Sequence, residues 1–180
     1  MRQFRALSPG PAAMSRPARG RSLRLIAALG ALAWQAAASA AAPAVCPDDL
    51  PAVLDIVNAV RAVGAQCGQR GAFPPAPPVR WNDTLAALAA DHARWLVELG
   101  DLSHTGPGGE DLAKRADRVG YLYRSLGENL AHGQRTPQAA VVGWLRSDTH
   151  CATLFGPQYT EAGVSCRPAR DGRPLWVLEL

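Results

Sequence analysis

Between Gly68 and Pro78 the chain reads Gly-Gln-Arg-Gly-Ala-Phe-Pro-Pro-Ala-Pro-Pro, which no helix interior or central strand can contain. Proline removes a backbone donor and clashes with the carbonyl four residues back, and glycine loses the most backbone freedom on ordering. What precedes this stretch must therefore pack as a separate element. Before it, Leu50, Val53, Leu54, Val57 and Val60 recur at helical spacing up to Gly64. Asp48-Asp49 and Pro51 supply the start signal. After it, Val79-Arg80-Trp81 leads into the most regular helix of the chain. Asn82 or Asp83 caps that helix, Leu85, Leu88, His92, Leu96 and Leu99 share one face, and Gly100 stops it. Within that stripe His92 reads as a hydrogen-bonded core or boundary histidine, ahead of a catalytic one.

Asp101 to Gly109 is a polar, glycine-rich loop carrying His104. Asp111 to Val119 reads as a short helix ended by Gly120. Tyr121 to Ala131 has no helical stripe, and its end, Leu126-Gly127-Glu128-Asn129-Leu130-Ala131, reads as an extended strand holding Glu128. Thr136-Pro137 opens another helix, built on Ala140, Val141, Trp144 and Leu145. His150 lies just past it, leading a further short turn. Two strand candidates, Glu161 to Cys166 and Pro174 to Leu180, flank Asp171-Gly172, a strong hairpin signal. Helices in front and strands at the end predict an α+β domain with helices covering a small antiparallel sheet.

The first 42 residues stand apart. Arg2, Arg5, Arg16, Arg19, Arg21 and Arg24 come with no acid, followed by an apolar run from Leu23 to Trp34 and an alanine-rich segment. A basic region, a short apolar region and small residues are the signature of a secretory signal peptide, here with cleavage after Ala40 or Ala42. The long-chain apolar part is shorter than the roughly 20 residues a membrane span needs. Met14 is an alternative start. Residues 43–52 form a short lead-in and 53–180 the domain, which is expected to be secreted or periplasmic and monomeric, with no transmembrane segment after cleavage. Six of the 19 basic residues lie in the leader, leaving 13 against 15 acids, so the mature chain is near −2. Its charge gives no support to a nucleic-acid partner.

All four cysteines, Cys46, Cys67, Cys151 and Cys166, lie beyond the leader, where disulfides are the default. Of three possible connectivities, sequence-near pairing is preferred, Cys46 with Cys67 and Cys151 with Cys166. Each such bridge closes a loop of roughly 15–20 residues, worth about 3 kcal/mol by chain entropy. No Cys-x-x-Cys or histidine spacing favours zinc at these positions. A lipid-modified Cys46 is disfavoured by Val45 before it.

The order of short motifs resembles the CAP superfamily, the cysteine-rich secretory, antigen 5 and pathogenesis-related 1 proteins, in its bacterial SCP-like form. The matching segments are Asn58 to Arg61, Trp81 to Ala86, Asp91-His92-Ala93, Leu102-Ser103-His104-Thr105, Gly120-Tyr121 with Gly127-Glu128-Asn129-Leu130-Ala131, and Trp144 to Ser147 through His150 to Tyr159-Thr160-Glu161-Ala162-Gly163-Val164. They span about Val53 to Leu180.

The resemblance implies an α-β-α sandwich with a central cavity, lined in many members by two histidines and two glutamates that hold a divalent cation such as zinc. By position His104, Glu128 and His150 are three of the four. The fourth falls at Ser147, so one carboxylate is missing and a bound metal would keep open positions. No cofactor is required on this reading; zinc or another divalent cation is the candidate. Three functions follow: a binding module taking a lipid- or sterol-like molecule or an extracellular protein, a metal-dependent hydrolase using His104, Glu128 and His150, and a structural envelope domain. Whether the chain is an enzyme is left open, with binding preferred, because neither Ser103 nor Ser147 sits on a nucleophile turn. A buried polar network tying loop to sheet is the competing account of the same three residues. Asn129, Thr160 and Glu161 read as scaffold, and His132 as a solvated loop histidine.

Overall fold

The computed structural model describes residues 46–180. The expected leader, with Ala40 and Ala42, lies outside the described residues.

Helix α1 (Ala52–Arg61) starts where Asp49 Oδ1 accepts the Ala52 N–H at 3.2 Å, and it buries Val53, Leu54 and Val57. The Gly/Pro stretch folds into a hairpin of two-residue strands, β1 (Ala65–Gln66) and β2 (Ala72–Phe73), around a short 3-10 turn. It then runs extended to β3 (Arg80–Trp81). Helix α2 (Asp83–Leu99) is capped by Asn82, whose Oδ1 accepts the N–H groups of Thr84 and Leu85, and it ends on Gly100 at φ 79°. Helix α3 (Leu112–Arg118) is capped by Asp111 and α4 (Pro137–Leu145) by Thr136. Between them lies β4 (Glu128–His132). Helix α5 (Asp148–Leu154), β5 (Glu161–Pro168) and β6 (Pro174–Glu179) complete the order.

The main sheet runs β3-β5-β6-β4. The expected hairpin at Asp171-Gly172 joins β5 to β6, and β4 pairs antiparallel with β6. The sheet is not wholly antiparallel, because β3 lies parallel to β5. The long crossover between these strands, from α2 through β4 to α5, lets the chain return in the same direction, as a parallel pair requires.

Alternation along the strands divides the core. Ala131, Ala162, Val164, Trp176 and Leu178 pack with α1, α4 and α5. Leu130, Leu175 and Val177 pack with Ala89, Ala93 and Leu96 of α2. The result is the expected α-β-α sandwich. Helix α2 rides so close to β5 that a Cβ on Gly163 would stand 2.1 Å from the Ala86 backbone nitrogen. By the same alternation Glu128 and Glu179 share the α2 side of the sheet with Leu130 and Val177.

Arg61, wholly buried, locks the other layer. Its guanidinium donates to the carbonyls of Pro77, Leu154, Gly156 and Tyr159, with Pro77 at 2.8 Å. Among the described residues no carboxylate pairs with it; it satisfies the Leu154 carbonyl at the end of α5 and, beyond that helix, those of Gly156 and Tyr159.

The disulfides differ from expectation. Cys46 bonds Cys166 and Cys67 bonds Cys151, rather than Cys46 with Cys67 and Cys151 with Cys166. Helix α1 stands as a rigid spacer between Cys46 and Cys67. It delivers Cys67 to the buried face of α5, where Asp148 Oδ2 also accepts the Gln69 N–H at 2.8 Å. Cys166 lies in β5, on the far side of the loop that leaves α5. The observed Cα separations of 5.5 and 5.4 Å are those a bridge requires.

Candidate functional site

The site grows from the α2 side of the sheet. Glu128, at the start of β4, and Glu179, near the end of β6, are direct cross-strand partners. Arg115 reaches both from α3: its Nη2 donates to Glu128 Oε2 at 2.7 Å, and its Nη1 lies 3.7 Å from Glu179 Oε1. His92, from the buried face of α2, brings Nε2 within 3.4 Å of Glu128 Oε2 and 2.8 Å of the Ser103 carbonyl. Because that carbonyl can only accept, Nε2 carries a proton and Nδ1 is left bare. Burial lowers the His92 pKa, against the pull of Glu128.

His104 arrives from the loop after α2. Its Nδ1 meets Glu128 Oε1 at 2.6 Å while its side chain stays 61 % exposed. The hydrogen bond to Glu128 raises its pKa; partial burial opposes. A carboxylate on Nδ1 sets the tautomer and turns Nε2 outward, the relation seen behind metal-bound histidines. His150, on the first turn of α5, faces it with ring centroids 6.3 Å apart. The His150 carbonyl accepts from Asn129 Nδ2 at 3.0 Å, tying α5 to β4. Burial and the neighbouring His104 lower the His150 pKa.

Burial alone would raise the Glu128 pKa. The His104 hydrogen bond and the Arg115 charge, with a smaller pull from His92, outweigh it, so Glu128 is held ionised. Glu179 is its opposite. Burial and the adjacent Glu128 charge raise its pKa well above the ordinary range. Neither Glu179 oxygen makes a hydrogen bond, Arg115 Nη1 at 3.7 Å being too far to donate, as fits an acid held in its neutral form.

A stability test follows. Folding must keep a proton on Glu179 above its unfolded pKa of about 4.3. That contribution is therefore full below about pH 4 and falls as pH rises towards the folded value. Glu179→Gln keeps the shape without the proton. It should gain on wild type as pH rises above about 4 in urea melts. A constant offset across that range would mean that Glu179 folds as a charged group.

The structure thus brings His104 and Glu128 into contact and sets His150 beside His104, but no hydrogen bond joins His150 to Glu128. Two members lay beyond the reach of sequence reading, Arg115 and Glu179; His92 is the hydrogen-bonded core histidine expected, and it also meets Glu128. Strand alternation in Leu175 to Glu179 is the one signal that places Glu179 beside Glu128, once both faces of β6 are known to be buried. Ser147 is the residue before α5 and its side chain makes no cap bond. His132 is not a free loop histidine; it ends β4 with Nε2 3.2 Å from Asp171 Oδ1. Glu161 is scaffold as expected, accepting from Asn82 Nδ2 and the Tyr121 hydroxyl, each at 3.0 Å.

Among the described residues no group of three His, Cys, Asp or Glu side chains is arranged to hold a metal. Glu128 is engaged by Arg115 and His104 and serves as support. The donor set that remains is the imidazole pair. Metal–nitrogen bonds of about 2.0–2.1 Å put the centroids of two tetrahedrally placed imidazoles about 5 Å apart. From the observed 6.3 Å the two rings would have to close by about 1 Å to share an ion.

Residues 54–180 match the model of the cysteine-rich secretory protein family, CAP. In Bacillus subtilis (strain 168), the protein YkwD is 28 % identical over 87 residues, 48 % of this chain and 34 % of that protein. The membrane protein YlbC of the same strain is 27 % identical over 112 residues, 62 % of this chain and 30 % of that protein. The chain therefore spans about a third of the length of these relatives. Among solved structures, an extracellular protein containing a SCP domain from Bacillus anthracis aligns with TM-score 0.59 and 24 % identity, covering 72 % of this chain and 39 % of that one. An outer surface protein from Borrelia burgdorferi aligns with TM-score 0.57 and 21 % identity, covering 73 % and 92 %. These likenesses are of fold.

Proposed function

The chain belongs to the cysteine-rich secretory protein (CAP) family, and from that premise we propose that it is an exported binding module whose His104–His150 pair takes up a divalent cation. The carrying observation is the His104–Glu128 hydrogen bond, which engages Nδ1 and leaves Nε2 of His104 for a ligand, with the His150 ring centroid 6.3 Å from that of His104. The two imidazoles would hold the ion, with Glu128 orienting one of them from behind. Zinc suits two neutral imidazoles, and when bound it would supply a Lewis-acidic centre with open positions. Two disulfides, and the extracellular and outer-surface relatives, support export.

Binding is favoured over hydrolysis by the state of Glu128. A hydrolase would use this carboxylate as a general base, but Arg115 and His104 hold it ionised and occupied. For the lipid-like ligand that the resemblance implies, the apolar volume lies elsewhere. A groove of about 480 Å³ at the end of α2, lined by Leu96, Leu99, Leu102 and Leu175, has the usual size of a small-molecule site.

Zinc should raise the melting temperature of wild type more than that of His104→Ala or His150→Ala. At about 100-fold excess over Kd the gain is about 2.7 kcal/mol. Equal shifts in all three proteins, or none in wild type, would remove the cation site and leave the scaffold reading.

A further inference from the structure

Residues 121–127 form neither helix nor strand, and they carry Leu122, 93 % exposed, and Tyr123, 37 % exposed. Beside them runs an open groove of about 540 Å³, lined by Tyr121, Tyr123, Arg124, Gln158, Tyr159 and Thr160 among others. It shares no residue with the histidine pair or the acids behind it.

Two of the tyrosines are fixed before any ligand arrives. The Tyr159 hydroxyl donates to the Leu126 carbonyl at 3.2 Å. Its ring sits in a slot that only glycine allows on both sides: a Cβ on Gly127 would lie 2.7 Å from the hydroxyl, and one on Gly156 would lie 2.5 Å from the ring. The Tyr121 hydroxyl is held by Glu161, itself anchored by Asn82. The polar groups beside them are free instead. Arg124, Gln158 and Thr160 are exposed, and their side chains enter no hydrogen bond or ion pair among the described residues.

Rigid phenol rings next to uncommitted amide, hydroxyl and guanidinium groups suit a sugar. The rings cover its C–H face at little entropic cost, and the polar groups take its hydroxyls. Arg124, with no acid partner of its own, adds a place for a carboxylate. The volume is that of a small-molecule or short-oligomer site. An extended peptide would want a free strand edge. Of the lining residues only Glu161 belongs to a strand, and that strand is already paired with β3.

We propose that this groove is a second binding site, for an acidic oligosaccharide, with Tyr121, Tyr123 and Tyr159 meeting the sugar rings and Arg124 the carboxylate. The test titrates the full chain with peptide-free glycan strands of alternating N-acetylglucosamine and N-acetylmuramic acid, followed by calorimetry and NMR. Neutral chitotetraose and a free stem peptide serve as parallel arms. The acidic glycan should bind, and Tyr123→Ala and Arg124→Ala should each weaken it about tenfold. Chitotetraose should bind more weakly and not respond to Arg124→Ala, and His104→Ala should leave both sugars unaffected. Both substitutions fall on exposed side chains, so melting temperatures equal to wild type separate lost binding from lost folding. Absence of binding by either sugar, binding indifferent to Tyr123→Ala, loss of binding in His104→Ala, or preference for the peptide would each overturn the proposal.

Discussion

A chain carrying Cys67→Ala and Cys151→Ala together should lose about 4.6 kcal/mol of folding stability, the chain-entropy value for a loop of this size. The bridge joins positions 84 residues apart, so its removal returns far more freedom to the unfolded chain than a bond between neighbouring cysteines would. The sequence-near pairing would be worth only about 3 kcal/mol per bridge. Both sulfurs lie in the main core among Val57, Leu154 and Phe155, so the alanines also give up packing. Against a usual total of about 5–15 kcal/mol, the double variant should sit near its folding threshold at physiological temperature. Urea melts measure the loss, and a change below about 1 kcal/mol would show that the bridge constrains little. Non-reducing peptide mapping checks the connectivity itself. Recovery of a Cys46–Cys67 peptide would sink it.

Arg115→Leu should cost about 3–5 kcal/mol, the range for stripping one partner from a buried ionic group. Among the described residues Arg115 is the one guanidinium beside both of the buried carboxyls that face each other across β4 and β6. Without it, Glu128 keeps His104 on one side and an acid on the other, and its pKa must rise. The sign of the pH dependence follows. In wild type, Glu128 is held below its ordinary value, so it contributes stability above the unfolded pKa and loses it as pH falls. In the variant that contribution is gone, so the deficit should be largest near neutral pH and narrow as the medium is acidified. Urea melts at about pH 3 and pH 7, on either side of the carboxylate window, decide the matter. A deficit independent of pH would make Arg115 a packing residue and no more.

The elements with strong local signals were legible. Asn82 and Gly100 bracket α2 as the stripe demands, and Asp171-Gly172 turns the β5–β6 hairpin. Glu128 stands on a strand and His104 on a loop, as their settings imply. What escaped was set by contacts between distant segments. The parallel pairing of β3 with β5 has no local signature in two residues, Arg80 and Trp81. Arg115 lies in a seven-residue helix, where nothing in the spacing distinguishes it from a solvated arginine. Cysteine spacing pointed the wrong way because proximity along a chain ignores the rigid helix between two positions.

One consequence of the bridges concerns how the chain comes to be made. They are nested: Cys46–Cys166 encloses Cys67–Cys151. A polypeptide emerging amino end first exposes Cys46 and Cys67 long before either native partner arrives. Any oxidant met at that stage can join only those two, the wrong pair. The native pattern is reached when the last quarter of the chain is out and thiol exchange moves the bond. Where oxidation starts that early, biogenesis of this domain needs a reshuffling step as well as an oxidising one.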